Sequence, residues 1–205
     1  MTTTTKPGYT ADKAKVEAVN NVTEDTADIV ETVVYSPETQ KLTYTVIDDT
    51  TNTTLEDKKD LASGDSNSEV KPETQTTYDN IVASYEAKGY ELVRKDALPT
   101  KFDTDTTVDQ NVTIHLKHKT EVTQESKKVK HTINYVYKDN NPAEPAFPTV
   151  ERELEFTREN TKDLVTNVVT NGQWTPTNGT SFGEVVSPTK PGYTADKAKV
   201  EAVNN

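Results

Sequence analysis

The sequence predicts an α+β chain, mainly β, built as two small domains in tandem. Three observations carry this reading. Several short segments alternate apolar and polar residues with the period of two that marks a strand. One segment, PETQTTYDNIVASYEAKG, changes to the period of a helix. The stretch TKPGYTADKAKVEAVNN occurs twice without a difference, at residues 5–21 and 189–205, so Thr5 recurs as Thr189, 184 residues on. Identity over that length implies tandem duplication within a longer array, and the period is too long for a solenoid unit of about 20–50 residues. It suits one or two domains of roughly 80–180 residues.

The region from about residue 38 to 121 reads as one unit. KLTYTVIDD alternates, with Leu42, Tyr44 and Val46 on one face and Thr43 and Thr45 on the other, as in a half-buried strand. DDTTNTT supplies a turn, and a weaker strand follows toward Leu61. Tyr78, Ile81, Val82 and Tyr85 then fall at i, i+3, i+4 and i+7, one stripe of a helix, with Gly89 placed to cap its end. Tyr90, Leu92, Val112, Ile114 and Leu116 return to strand alternation. Hairpin, helix and further strands is the order of a β-grasp, ubiquitin-like unit.

TEVTQESKK reads as a polar linker, after which a second unit begins. In it Ile133, Tyr135 and Tyr137 alternate before an Asp-Asn-Asn-Pro turn, and Val150, Leu154 and Phe156 face away from Glu151, Glu153 and Glu155. TRENTKDLVTNVVTNGQW fits either a short helix or irregular structure. The second unit repeats part of the first one's pattern, so the full expectation is an elongated tandem of two small β-grasp domains. VTEDTADIVETVVY, after the first copy of the repeated stretch, alternates like a closing strand, and one period beyond Tyr35 falls outside the chain. Residues 1–37 therefore read as the tail of a preceding domain, and residues 122–205 as a domain lacking its last strand. Residues 1–37 are expected either to dock head to tail on a neighbouring molecule or to be poorly anchored.

Composition narrows the function classes. Thirty-four acidic against 23 basic residues, a net charge of −11, argue against nucleic acid, which needs a basic stripe. No basic amphipathic run or long apolar run suggests membrane insertion. The absence of cysteine removes disulfides and thiolate metal sites, and the threonine-rich makeup suits an extracellular stalk. An acidic disordered spacer is disfavoured because the apolar residues are patterned.

Candidate chemistry is sparse. His115 and His118 fall on opposite faces of one strand and cannot jointly hold a metal, and His131 lies on another strand. Asp103, Asp105 and Asp109 have the oxygen density of a calcium loop but lack the glycine and terminal glutamate of an EF-hand; an ordinary turn is the default and no cofactor is required. Glu151, Glu153 and Glu155 fit a solvated sheet face better than a catalytic pair, so an enzyme is not expected. Trp174, the sole tryptophan, has two readings. Its ring can stack on a sugar among the loop residues of NGQWTPTNG, or anchor the core of the second unit, the latter being the default.

HTINYVYKD, GQWTP, FGEVVSPTKPGYTADKA and DIVETVVY resemble the B2-type domain of the mucus-binding (Mub) repeats of lactobacillus adhesins. KLTYTVIDD with KGYELV is similar to the accompanying B1, or MucBP-like, domain. The resemblance implies a B1 domain at 38–121, a B2-type mucin-binding domain at 122–205, and a preceding B2 tail at 1–37. It further implies an extracellular, cell-wall-anchored adhesin that binds host mucin glycans, and immunoglobulins as a further partner. Head-to-tail contact between neighbouring repeats is the expectation of the repeated stretch, not of the resemblance. A structural spacer is the alternative. An acidic module meeting acidic mucin glycans is expected to bind more tightly near pH 4–5, and through several repeats at once.

Overall fold

A computed structural model describes residues 1–204. The chain falls into two compact units, Met1–Lys119 and Thr120–Asn205.

Within the first unit, residues 1–38 form an N-terminal arm. β1 (Tyr9–Ala11) pairs antiparallel with β2 (Tyr35–Pro37), in a sheet of two strands separate from the sheet that follows. The closing strand expected over residues 26–36 shortens to β2 alone. Ile29, Val30 and Val34 are at least half exposed. Alternation by itself does not make a strand; the segment needs a sheet edge to take up its backbone hydrogen bonds. The later part of the arm is held to its start by Asp12 N–H donating to Val34 O (2.9 Å), Val34 N–H donating to Asp12 Oδ1 (2.9 Å) and Lys13 Nζ donating to Thr32 O (3.0 Å).

The rest of the unit has the β-grasp order. β3 (Thr39–Asp48) and β4 (Thr53–Asp65) form a hairpin; α1 (Pro72–Glu86) crosses the sheet; β5 (Tyr90–Lys95) and β6 (Gln110–His118) complete it. The strand order is β4-β3-β6-β5, with β3 and β6 parallel and the other pairs antiparallel. Leu42, Val46, Ile114 and Leu116 of the two central strands are wholly buried against Tyr78, Val82 and Tyr85 of α1, the predicted stripe, while Phe102 closes one end. Each such side chain contributes about 1.5–3 kcal/mol by leaving water.

Local signals set the boundaries. Pro72 occupies the first helical turn, where no N–H is needed. Gly89, at φ +93°, turns the chain out of the helix into β5, a conformation that glycine adopts without steric cost. The β3–β4 turn is held by Asp48, whose carboxylate accepts from Thr50 N–H (2.9 Å) and the Thr51 hydroxyl (2.7 Å). The second face of β3 is not the open face of a half-buried strand. Thr43 is 2% exposed, and both its hydroxyl and that of Thr45 donate to Asn111 Oδ1. A central strand is shielded by its neighbours on either side, and threonine tolerates this because its hydroxyl finds an acceptor.

The second unit is organised around one long hairpin. β7 (Thr120–Tyr135) and β8 (Phe147–Asp163) pair antiparallel from Thr120↔Asp163 to Tyr135↔Phe147. β9 (Val169–Asn171) and β10 (Thr175–Pro176) line the other edge of β8; β11 (Val185–Val186) pairs with β12 (Lys199–Val200). Among the described residues this unit has no α-helix, only a 3-10 turn at Lys138–Asn140. The segment that left helix or irregular structure open is therefore the end of β8, a turn with Asn167 at φ +60°, and β9. TEVTQESKK is not a linker but the first half of β7, exposed throughout. Its polar side chains hide the strand from periodicity, while backbone pairing with β8 makes it one. The core here is small: Ile133, Tyr137, Leu154 and Phe182 are buried.

Candidate functional site

The chain between β9 and β10 presses against β8. Gly172 N–H donates to Glu159 O (2.9 Å), and a Cβ on Gly172 would lie 2.3 Å from that oxygen, so only glycine fits this approach. The next pairing, Thr175↔Thr157, carries Trp174 onto the sheet edge beside Arg158. The Arg158 guanidinium lies 4.6 Å from the centroid of the Trp174 ring, a cation–π contact. Trp174 is 37% exposed and lies outside the buried core, which overturns the default reading of it as a core anchor.

Arg158 is itself held. Its Nε donates to Glu125 Oε2 (2.8 Å) and its Nη2 lies 2.7 Å from the same oxygen, to which Asn160 Nδ2 also donates (3.0 Å). The Asn160 hydrogen bond, then Arg158, hold the Glu125 carboxyl below the usual carboxylate range. Three donors converge on Oε2 and leave Oε1 of this half-exposed side chain as an acceptor toward solvent. Asn160 is 8% exposed, and its Oδ1 is enclosed without a donor. Such an orphan costs about 1–3 kcal/mol and calls for an explanation. The ensemble offers an immobilised aromatic ring, an indole N–H and a carboxylate oxygen on one sheet face. Those are groups that stack on and hydrogen-bond a sugar.

A second aromatic pair lies in the same unit. The Tyr137 and Tyr193 ring centroids are 5.1 Å apart, with Lys190 Nζ against the Tyr137 hydroxyl. Tyr193 is 59% exposed.

The family model of the mucin binding domain matches residues 40–118, and that of the Muc B2-like domain matches residues 120–205. The chain belongs to the Mub-repeat family. Among solved structures, the crystal structure of Mub-RV is 28% identical with a TM-score of 0.64, covering 80% of this chain and 91% of its own. The type 2 repeat of the mucus binding protein MUB from Lactobacillus reuteri is 28% identical over the same shares, with a TM-score of 0.47. The mucin-binding domain of a Streptococcus pneumoniae protein is 30% identical over 40% of this chain and 79% of its own, with a TM-score of 0.35. No curated protein sequence matches.

Of the remaining predicted positions of this Mub repeat, the three aspartates belong to the first unit and Trp174 to the second. Asp103, Asp105 and Asp109 are not brought together: Asp103 accepts from Asp105 N–H (3.3 Å), while Asp105 accepts from the Thr107 N–H and hydroxyl. The Asp103 and Asp105 carboxylates build local turns, and among the described residues no three histidine, aspartate or glutamate side chains gather as metal ligands. The histidines part as their spacing requires. His118 Nε2 pairs with Asp48, and His115 Nδ1 with Asp49 (2.8 Å). Arg94 Nη2 lies 2.7 Å from His115 Nε2, which makes that nitrogen the acceptor and places the proton on Nδ1, facing Asp49. His131 packs on Phe182. A groove of about 260 Å³ beside the start of α1 is lined by Leu61, Gly64, Thr74, Thr77 and Phe102, with Glu69, Lys71 and Glu73 at its wall. Sequence reasoning missed Arg158, Glu125 and Asn160. For Arg158 and Asn160 the available signal was that the face carrying Val150, Leu154 and Phe156 turns polar at its next two positions; Glu125, in a stretch polar on both faces, gave none.

Proposed function

We propose that this chain is a non-catalytic binding repeat of an extracellular bacterial surface adhesin, and that it binds host mucin glycoproteins through their glycans. Membership of the Mub-repeat family supports the class of ligand, because the family description of residues 40–118 is a mucin binding domain. The observation that carries the site is Trp174, exposed and fixed by the Arg158–Glu125–Asn160 clamp. Sugar rings present C–H faces to an aromatic ring and hydroxyls to flanking donors and acceptors. No helix among the described residues is long and apolar enough to cross a membrane, and cell-wall anchoring is part of the same proposal.

The test is adsorption of the purified chain to immobilised mucin, compared with Trp174→Ala. Binding by the parent and its loss in the variant, with both folded, supports the reading. Equal binding by both would remove Trp174 from the site. Binding to neither mucin nor immunoglobulin would favour a spacer, whereas immunoglobulin binding alone would replace the ligand class.

A further inference from the structure

The repeated stretch folds the same way twice, in two different settings. Tyr9 N–H donates to Lys6 O at 3.1 Å, and Tyr193 N–H to Lys190 O at 3.1 Å. Thr3 N–H donates to Ala14 O at 3.0 Å; one period on, Ser187 N–H donates to Ala198 O at 3.0 Å. Gly8 and Gly192 take the same left-handed turn, at φ +74° and +79°. The hairpin is therefore dictated by its own residues.

Only the first copy is seated on a β-grasp unit; in the second, Tyr193 packs on Tyr137 of its own unit, with ring centroids 5.1 Å apart. Gly8 is buried, and a Cβ on it would lie 2.5 Å from Ser66 Oγ and 2.9 Å from Thr104 Cβ. Gly8 O accepts from Glu38 N–H (2.8 Å), the Tyr9 hydroxyl donates to Ser66 O (3.3 Å), and the Thr10 hydroxyl donates to Glu38 Oε1 (2.6 Å). The receiving surface is pre-organised: Ser66 Oγ donates to Glu38 O and accepts from Gln40 Nε2 (2.8 Å). In the second copy nothing lies within 4 Å of where a Gly192 Cβ would be, and Tyr193 is exposed.

We propose that the Lys190–Tyr193 hairpin is a docking face whose partner is the β-grasp unit of a second copy of this repeat, seated by Gly192 and Tyr193 on that copy's Ser66 and Thr104. The first copy supplies the template for the contact, since its Gly8 and Tyr9 make it within one chain. Residues 1–37 then stand as the tail of a preceding B2-type domain, and the repeated stretch is a joint between consecutive repeats. This is independent of where glycans bind.

The test joins two repeats as residues 1–205 followed directly by a second 22–205. The absence of cysteine lets spin labels be placed singly. In the 205-residue chain, labels at exposed Ala18→Cys and Thr106→Cys report the seated first joint. In the two-repeat chain, labels at Ala202→Cys and at Thr106→Cys of the second repeat report the proposed one. The expected result is one narrow distance, the same in both. Gly8→Val should broaden the first pair and Gly192→Val the second, while Gly192→Val leaves the first pair of the 205-residue chain unchanged. Thr104→Arg in the second repeat should broaden the second pair too, and it leaves the hairpin's own glycine in place. A second pair that is broad before any substitution, or unmoved by both substitutions, overturns the proposal.

Discussion

His118 Nε2 lies 3.0 Å from Asp48 Oδ2, with both side chains more than nine-tenths buried. The pair joins the end of β6 to the β3–β4 turn. Burial alone would raise the Asp48 carboxyl, but the Thr51 hydroxyl, Thr50 N–H and His118 together hold it below the ordinary carboxylate value. A depressed carboxylate stabilises the fold above its unfolded pKa, about 3.9, and that contribution disappears as pH falls through the folded value. Asp48→Ala should cost about 1–3 kcal/mol at pH 7, because it removes the shared acceptor of Thr50 N–H, the Thr51 hydroxyl and His118. Urea unfolding of parent and variant should show this gap persisting down to about pH 4 and closing only below. A gap that closes between pH 6 and 5 would refute the assignment.

Trp174 should matter little to stability. A core tryptophan costs about 3–5 kcal/mol on truncation to alanine, whereas the ring here loses one cation–π contact worth about 0.5–2 kcal/mol. Trp174→Ala is therefore expected to lower stability by about 1 kcal/mol, read by urea unfolding. A loss above about 3 kcal/mol would return the residue to the core.

The first unit was legible in the sequence because its burial follows two clean periods. Tyr78, Val82 and Tyr85 sit on one helical stripe, and Val112, Ile114 and Leu116 on one strand face. Two segments misled in opposite senses. Residues 120–128 are polar on both faces, so no period announces the strand that backbone pairing creates. Residues 22–34 alternate well but have no sheet edge to join. The Trp174 patch was half legible: a tryptophan in a loop is visible, but its union with Arg158 and Glu125 depends on cross-strand register, which sequence spacing does not encode.

Two strand residues of ordinary apolar type should behave very differently. Leu116 is wholly buried beneath α1, and Val122, on the polar half of β7, is 59% exposed. Leu116→Ala is expected to cost about 2–5 kcal/mol. Val122→Ala should stay within about 0.5 kcal/mol of the parent. Thermal unfolding of the two variants checks the contrast, and a large loss at Val122 would mean that this face of β7 is covered.

Mucin binding should strengthen on acidification. The chain carries a net charge of −11, and mucin glycans that end in carboxylate or sulfate repel it within the screening length of about 8–10 Å. Ordinary exposed carboxylates lose charge near pH 4–4.5, which weakens that repulsion. Glu125 loses its charge later than they do, because Asn160 and Arg158 hold its carboxyl below the usual range, so the clamp behind Trp174 outlasts part of that repulsion. Binding to immobilised mucin is therefore expected to rise from pH 7 to about pH 4.5, most steeply at low salt. It should fall again under stronger acid, when Glu125 protonates and releases Arg158. Glu125→Gln should weaken binding at both pH 7 and pH 4.5, because a neutral amide holds the guanidinium less firmly than a carboxylate. Binding that is flat across this range at low salt would count against both the charge argument and the clamp.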